Sequence, residues 1–263
     1  HGHRAHGNRA ARGLAEVGAT VLGVGDTPVA GLPEVVRHAL SGYLQVRSLW
    51  NTQTVLGEIR QWLAGRQLDR IECLWEPGML LAAELREGLG VAGLNVAQTL
   101  PFRDKEQMKQ VLDAAGVRTP RHVACHSTAQ CREAAERIGF PLIIKPIAGA
   151  GSADTYRIND ANELAAILPR LAHVATVSVE EFIDAEEYTF DTVTIGGRIA
   201  YYNIAWYRPR PLVARSNEWI SPQVVALRKL EDPALADGIR MGFQVIQARG
   251  FDTGFTDMEW YRK

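Results

Sequence analysis

A lysine followed by a glycine-bearing loop is the first feature of the sequence that points to chemistry. Lys145 closes the hydrophobic run Phe140–Pro146. Four small residues follow it: Gly149, Ala150, Gly151 and Ser152. The backbone amides of such a loop donate hydrogen bonds to phosphate oxygens, and a lysine beside them neutralises charge. The pattern indicates a polyphosphate site, with a strand-end lysine that reaches water as the alternative. It is not a Walker motif, because no Gly-Lys-Ser/Thr follows.

Carboxylates after the next hydrophobic run form a second candidate group. Glu180 and Glu181 precede Phe182 and Ile183, and Glu187 follows a short acidic segment. A purine base needs an apolar slot beside backbone donors and acceptors, and a strand edge that contains Ile183 provides both. Glu187 is placed to accept hydrogen bonds from ribose hydroxyls. The alternative for the whole segment is an acidic surface turn.

Two further carboxylates, Asp257 and Glu259, are two residues apart in a predicted strand, so both lie on one face of it. Oxygen ligands of this kind suit Mg²⁺, with a solvated strand face as the alternative. Lys105 comes directly after Asp104, which is a predicted helix N-cap. Taken alone, Lys105 is typical of a surface lysine.

The first part of the chain alternates strands and helices. Strands are predicted over Thr20–Gly25, Tyr43–Val46 and Arg70–Trp75, and helices over Pro33–Leu40, Thr52–Ala64 and Pro77–Leu89. Such alternation indicates an α/β domain with an open parallel sheet over residues 1–99. Glu76, at the end of a predicted strand, lies where such sheets bind ligands and is a candidate substrate contact. Gly25 and Asp26 lack the third glycine of a dinucleotide motif and indicate a tight turn instead.

From Pro101 onward the pattern changes to α+β with antiparallel strands. The predicted helices are Asp104–Ala115, Thr128–Ile138, Asp160–Leu171 and Asp232–Ala248. The predicted strands are Arg121–Ala124, Phe140–Pro146, Ser178–Ile183, Glu187–Thr194, Arg198–Trp206 and Thr253–Lys263. Gly196 and Gly197 join two of these strands and indicate a hairpin.

Composition excludes several classes of protein. The 263 residues carry a net charge of −1, which argues against a dedicated nucleic-acid binder. No apolar run is long enough to span a membrane, and the three cysteines form no disulfide or zinc pattern. A cytoplasmic protein is therefore expected. Three histidines near the start offer a metal site or, alternatively, a frayed terminus. Because the last predicted strand is barely complete, we expect the chain to be a fragment of a longer protein.

The order of these motifs resembles the ATP-grasp superfamily of carboxylate–amine ligases. The series runs from Asp104-Lys105 through the Lys145 loop and the Glu180–Glu187 segment to Gly254–Glu259. The match looks closest to bacterial members with a biotin-carboxylase-like or D-alanine-ligase-like core. It implies a pre-ATP-grasp domain over residues 1–99 and an ATP-grasp domain over 100–263. The latter would consist of subdomains at about 100–177 and 178–263, the second of them incomplete.

The resemblance also implies roles for the candidate residues. Lys105 and Lys145 would bind the nucleotide phosphates, under a mobile lid formed by Gly149, Ala150, Gly151 and Ser152. Adenine would be held by Glu180, Glu181, Phe182 and Ile183, and ribose by Glu187. Glu259 would be the first Mg²⁺ carboxylate, whereas Asp257 stands where close relatives have a histidine. The family's second Mg²⁺ carboxylate lies one strand beyond the residues present.

The loop Tyr207–Arg215 contains three arginines and two prolines. Arginine suits bidentate recognition of carboxylate or phosphate, and proline limits the freedom of the loop. We predict that this loop faces the acceptor substrate or the γ-phosphate, and Arg215 and Lys145 are the predicted catalytic residues. An exposed basic loop is the alternative.

The implied function is an ATP- and Mg²⁺-dependent ligase, with Mn²⁺ as a possible substitute. It would join a small carboxylate to an amine through an acyl phosphate. Two alternatives stay open: an ATP-binding protein of the same fold without ligase activity, and a phosphotransferase on the same core. Many members form dimers, so a homodimer is one expected assembly; neither a nucleic acid nor a membrane is an expected partner.

Overall fold

The computed structural model describes residues 10–147, 154–217 and 219–263, with the side chain of Arg215 left out. The predicted phosphate loop at residues 149–152 and the histidine-rich start of the chain lie outside the described residues. The chain divides into two compact units, His1–Leu100 and Pro101–Lys263. Among the described helices, none is both long enough and apolar enough to cross a membrane.

The first unit contains a short parallel sheet with flanking helices. Its elements are α1 (residues 10–16), β1 (Leu22–Gly25), α2 (Glu34–Ala39), β2 (Gly42–Gln45), α3 (Thr52–Leu63), α4 (Met79–Leu89) and α5 (Val96–Arg103), which runs into the second unit. Strands β1 and β2 pair in parallel, with Leu22 opposite Gly42. Helix α3 shows the apolar spacing predicted for it, because Val55 and Ile59 are buried in one cluster with Leu85 of α4. The α/β character of this unit is therefore confirmed.

The predicted strand Arg70–Trp75 is wrong. Within the described part of this unit, β1 and β2 are the strands that pair, and residues 70–75 belong to neither a strand nor a sheet. The side chain of Arg86 supplies the reason. Its Nε donates a hydrogen bond to the carbonyl of Ile71 at 2.8 Å, and its Nη1 donates to Leu94 at 2.9 Å. A side chain thus satisfies a backbone acceptor that a neighbouring strand would otherwise use.

The second unit begins with helix α6 and an antiparallel sheet. The elements are α6 (Lys105–Ala114), β3 (His122–Cys125), α7 (Thr128–Ile138), β4 (Leu142–Pro146), β5 (Tyr156–Ile158), α8 (Ala161–Ile167) and β6 (Val177–Glu181). The strand order is β3-β6-β4-β5. Asp104 caps α6 by accepting from the backbone amides of Glu106 and Gln107, as predicted. One face of this sheet is apolar and forms a core with α7 and α8.

A second antiparallel sheet follows. It contains β7 (Glu186–Ile195), β8 (Arg198–Arg208), β9 (Gln223–Ala226) and β10 (Gly254–Arg262), with helices α9 (Pro211–Arg215) and α10 (Ala236–Ala248). The strand order is β10-β7-β8-β9. Gly196 and Gly197 form the predicted hairpin turn with φ of 56° and 71°, values that favour glycine. The apolar face of this second sheet packs on α10. A Cβ at Gly242 of α10 would come within 2.5 Å of the Phe190 ring.

Strand β6 pairs with both β3 and β4 and so lies inside the first sheet. We predicted that the second subdomain starts at about residue 178, but those residues are central to the first sheet. The chain then crosses to the second sheet once, through residues 182–185. Each sheet has one apolar and one polar face, since successive side chains of a strand point to opposite sides. The polar faces carry the candidate site.

Candidate functional site

A buried cluster of charges lies on the polar face of the first sheet. Glu180 of β6 is diagonally opposite Lys145 of β4, because Lys145 pairs with Ser178 in the ladder. The Nζ of Lys145 lies 2.8 Å from Glu180 Oε2. Lys109, on α6, donates from its Nζ to Glu180 Oε1 at 2.5 Å and to Ser178 Oγ at 3.2 Å. Two lysines thus share one carboxylate.

The cluster keeps Glu180 ionised. Burial by itself would raise the pKa of this carboxyl, but the charges and hydrogen bonds of Lys145 and Lys109 outweigh it and lower the pKa to about 2. Burial lowers the pKa of the Lys109 ammonium, and Glu180 opposes that shift. The combined charge of the two lysines and the glutamate is positive. A positive cluster of this kind suits an anionic ligand.

Lys109 is a site residue that the sequence analysis missed. It lies four residues after Lys105 and three before Leu112, so all three are on one side of α6. Its side chain is 4% exposed, although α6 has the composition of a surface helix. The spacing from Lys105 was the available signal. Lys105 itself is the first residue of α6, is partly buried and has an interaction of its own.

Glu181 does not join Glu180. Because the two residues are adjacent in β6, their side chains point to opposite faces of the sheet. Glu181 instead pairs with Arg118 at 3.2 Å and with Arg121 at 3.5 Å. The backbone amide of Arg121 also donates to it. Burial would raise the pKa of Glu181, but that amide and the arginines lower it overall. Its carboxylate therefore belongs to a surface ion cluster.

The crossing between the two sheets is held by an arginine from the basic loop. Arg210 donates from Nη1 to the carbonyls of Ile183 (3.2 Å) and Ala185 (3.0 Å), and Nη2 contacts Asp184 (3.2 Å). The ring of Phe182 lies close to the same guanidinium, with 5.5 Å from ring centroid to Cζ. Arg210 therefore fixes the segment that we predicted to hold adenine. Arg215, the predicted catalytic arginine, is the last residue of α9, and its side chain is outside the description.

The polar face of the second sheet is acidic. Register and alternation put four carboxylates on this face: Glu187, Asp191, Asp257 and Glu259. Burial raises the pKa of Glu187 to about 7, and the nearby charge of Glu259 adds to the shift. Burial also raises the pKa of Tyr207 and Tyr261, and the charges of the carboxylates add to it. The negative charge of this face therefore acts on the buried titratable groups within it.

The two polar faces are close enough to influence each other. The charges of Lys145 and Arg210 lower the pKa of Glu187, against the larger effect of its burial. The charge of Glu180 in turn adds to the raised pKa of Tyr261. The structure therefore brings five predicted residues into one region: Lys145, Glu180, Glu187, Asp257 and Glu259. A cationic cluster beside a carboxylate face can accept a phosphate chain together with a divalent cation.

Among the described residues, no group of three or more histidine, cysteine or acidic side chains is arranged to hold a metal ion. Asp257 and Glu259 are exposed and share a face. Mg²⁺ in nucleotide sites is usually held by one or two carboxylates together with phosphates and waters. The donor set on β10 therefore fits Mg²⁺ in the presence of a polyphosphate.

In the first unit, Glu76 is the first residue of a short 3-10 turn, Glu76–Gly78. A separate cleft of about 830 Å³ lies between α3 and α4, lined by residues that include Trp50, Glu84 and Glu87. Glu76 is not among the residues that line this cleft. Its role as a substrate contact stays a prediction.

Comparison with known proteins identifies the fold. Residues 104–187 match the family model of the ATP-binding domain of the carbamoyl-phosphate synthase L chain. Over 94% of the chain, the structure is similar to an L-amino acid ligase from Bacillus licheniformis, with a TM-score of 0.75 and 20% identity, and it covers 58% of that protein. It is also similar to a D-alanine–D-alanine ligase from Bacillus anthracis, with a TM-score of 0.65 and 16% identity, covering 93% of this chain and 82% of that protein. The chain therefore has the ATP-grasp fold, as the order of motifs implied.

The curated relatives that the chain resembles include two kinds of ligase. The chain is 36% identical over 103 residues to a D-alanine–D-alanine ligase from Stutzerimonas stutzeri, which is 39% of this chain and 33% of the relative. It is 24% identical over 201 residues to an L-arginine-specific L-amino acid ligase from Bacillus subtilis, covering 74% of this chain and 48% of the relative. The chain thus spans about a third of the length of the D-alanine ligases that it matches. The resemblance to ATP-grasp carboxylate–amine ligases is confirmed.

Proposed function

We propose that the chain binds ATP between the polar faces of its two antiparallel sheets and joins a small carboxylate to an amine. The observation that carries the proposal is the cluster of Lys109, Glu180 and Lys145 next to the carboxylates of β7 and β10. A cationic cluster beside an acidic face suits a nucleotide that arrives with a divalent cation. The ligase relatives support the same reaction class.

Lys145 and Lys105 bind the phosphates in this proposal. The segment 182–185, fixed by Arg210, offers backbone groups to adenine. Glu187 accepts hydrogen bonds from ribose hydroxyls. A carboxyl with a pKa of about 7 is consistent with a hydrogen-bond partner that is neutral, such as a ribose hydroxyl, rather than a lysine. The carboxylate of Glu181 plays no direct part, because it is engaged with Arg118 and Arg121.

Mg²⁺ is the proposed metal, held by Glu259 with Asp257 beside it on the same face. When bound, it would neutralise the charge of the phosphate chain. Mn²⁺ has the same preference for oxygen ligands.

The proposed reaction has two steps. A carboxylate oxygen of the first substrate attacks the γ-phosphorus, the bond to the β,γ-bridging oxygen breaks, and ADP leaves an acyl phosphate behind. The amine of the second substrate then attacks the acyl carbon, loses a proton and expels inorganic phosphate. The residues of this chain contribute position and charge, which supply most of the catalysis in phosphoryl transfer.

Amino acids are the proposed class for both substrates, because the relatives include D-alanine and L-amino acid ligases. Each amino acid offers the carboxylate or the amine that the reaction needs. We further propose a cytoplasmic location, where ATP is available, and a homodimer as the assembly to test first.

The first test is calorimetric titration with a non-hydrolysable ATP analogue and Mg²⁺. We expect saturable binding by the wild-type chain and about tenfold or greater weakening in Lys145→Ala, since a lost hydrogen bond to a charged group costs about 1.5–3 kcal/mol. Lys229→Ala is the matched control, because Lys229 is exposed. Equal binding by Lys145→Ala and wild type would contradict the role of Lys145.

A second test separates the reaction classes. Incubation with ATP, Mg²⁺ and mixed amino acids in the presence of hydroxylamine should trap an acyl phosphate as a hydroxamate. ATP binding without hydroxamate, and without ADP release, would instead favour a nucleotide-binding protein that lacks ligase activity. ADP release with a stable phosphorylated product would favour a phosphotransferase.

A further inference from the structure

The two lysines on Glu180 differ in their access to solvent. The side chains of Lys109 and Glu180 are 4% and 5% exposed, whereas that of Lys145 is 25% exposed. Lys109 is also bonded to Ser178, so its ammonium has two fixed partners inside the protein. Lys145 is bonded to the same carboxylate from the open side of the cluster. The two cations therefore occupy an inner and an outer position.

This arrangement affects what happens when a ligand attracts Lys145. If Glu180 had a single counter-ion, moving that lysine to a phosphate would leave a buried carboxylate without a partner, which is costly. With Lys109 in the inner position, the carboxylate keeps a hydrogen-bonded cation after Lys145 moves. The inner lysine therefore lowers the free energy needed to release the outer one.

We propose that Lys109 is a positioning residue that stays on Glu180 as its permanent counter-ion, while Lys145 leaves Glu180 to bind the phosphates of a nucleotide. The inference rests on the proposed function, because it requires that a nucleotide enters this cleft. It assigns to Glu180 the task of holding Lys145 ready in the free protein. It also explains why a lysine is buried next to Leu112 on the inner side of α6.

Other charged and titratable groups surround Glu180. On α6, Glu106 adds a negative charge near Lys109. On β3, His122 is the ladder partner of Glu180, and its ring is bonded to Glu106 and Asp113. Tyr261 of β10 is near the carboxylate on the other side. All of these groups are retained when Lys109 is replaced. The ratio of the variant's affinity to that of wild type at the same pH therefore separates the effect of Lys109 from theirs.

The test compares four variants with the wild-type chain: Lys109→Met, Glu180→Gln, Lys109→Met/Glu180→Gln and the exposed control Lys229→Met. Calorimetry measures the affinity for a non-hydrolysable ATP analogue with Mg²⁺ near neutral pH. Lys109→Met should bind about tenfold or more weakly, because Lys145 is then the sole counter-ion of a buried charge. The double variant removes both buried charges, so the loss caused by Lys109→Met should be at least about threefold smaller when Glu180 is also replaced, a coupling that the double-mutant cycle with Glu180→Gln measures.

The pH profile provides a readout that a purely structural role would not change. Lys109 is one of the two cations that lower the pKa of Glu180, so its replacement raises that pKa, and Glu180 is then protonated more readily as pH falls. Protonation releases Lys145, so the loss of affinity in Lys109→Met relative to wild type should shrink as pH falls from about 8 to about 5. Effects common to both proteins, such as titration of the nucleotide phosphates, cancel in this ratio.

The outcomes are distinct. No binding by the folded wild-type chain would overturn the proposed function and this inference with it. Wild-type binding that Lys109→Met retains in full would overturn the inference alone. If Lys109→Met does not fold, the double variant is compared with Glu180→Gln, because replacing a buried ion pair by groups of similar volume is often tolerated. A double variant that binds about tenfold more weakly in that comparison, or a loss from Lys109→Met that is equally large with and without Glu180→Gln, would also overturn the inference.

Discussion

The polar faces of the two sheets in the second unit differ in how their charges are compensated. On the first face, Glu180 is buried between two lysines, which lower its pKa to about 2. On the second face, Glu187 is buried near Glu259, and its pKa is raised to about 7. The buried carboxylate of the first face is therefore already paired with cations in the free protein. A further cation near the carboxylates of the second face would lower the pKa of Glu187.

Among the replacements that test this comparison, that of Glu180 should change the free energy of unfolding most. Glu180→Gln leaves Lys109 buried without a counter-charge, which should lower the free energy of unfolding by about 3–5 kcal/mol. Urea unfolding followed by circular dichroism measures the change. Its neighbour offers a matched control, since Glu181 pairs with arginines that are 61% exposed. Glu181→Gln should cost no more than about 1 kcal/mol, and equal effects at the two positions would contradict the described cluster.

The two buried glutamates should give opposite dependences of stability on pH. The folded-state pKa of Glu180, about 2, is below the ordinary 4.5, so its contribution is present above pH 4.5 and is lost as pH falls towards 2. The folded-state pKa of Glu187, about 7, is above 4.5, so stability is lost as pH rises from 4.5 through 7. Each shift corresponds to roughly 3 kcal/mol.

Glu187→Gln isolates the pH dependence of stability that Glu187 causes. Its free energy of unfolding, minus that of wild type, should be smallest near pH 4.5 and should increase by roughly 3 kcal/mol by about pH 8. A series of urea titrations at different pH values measures the difference. A difference that does not depend on pH would mean that folding does not raise the pKa of Glu187. That result would contradict the contrast between the two faces.

Arg210 should show a smaller effect at the junction of the two faces. Arg210→Ala removes hydrogen bonds to the carbonyls of Ile183 and Ala185, and should cost about 1–3 kcal/mol of stability. Arg208→Ala is the control, because Arg208 lies over the ring of Trp206 at 4.3 Å and should cost only about 0.5–1 kcal/mol. Thermal unfolding would rank the two variants. Equal losses would show that the hydrogen bonds to the crossing add nothing beyond ring stacking.

The sequence was most informative where local signals agreed. Helix α7 occupies Thr128–Ile138 as predicted, because Ser127 caps its start and Gly139 ends it. The hairpin at Gly196 and Gly197 was likewise predictable from turn chemistry alone. The shared face of Asp257 and Glu259 followed from alternation along one strand.

The failures came from contacts between distant residues. The predicted strand at residues 70–75 is wrong, and the Ile71 carbonyl accepts a hydrogen bond from Arg86 of helix α4 in place of a strand partner. Lys109 was overlooked because the partners that bury it, Ser178 and Glu180, are on a strand about 70 positions later. The pKa of Glu187 is raised mainly by burial and further by the charge of Glu259, which is on a strand reached only after α10. No local pattern reports such neighbours.

The single crossing at residues 182–185 has a consequence for how the chain is made. Every member of the charge cluster, from Lys109 to Glu180, precedes the crossing, and the carboxylates of β7 and β10 follow it. Synthesis runs from the N-terminus, and early segments fold first. The first sheet, with its charges already paired, therefore leaves the ribosome before the acidic sheet exists. The carboxylates of the second sheet are therefore translated after the charges of the first sheet.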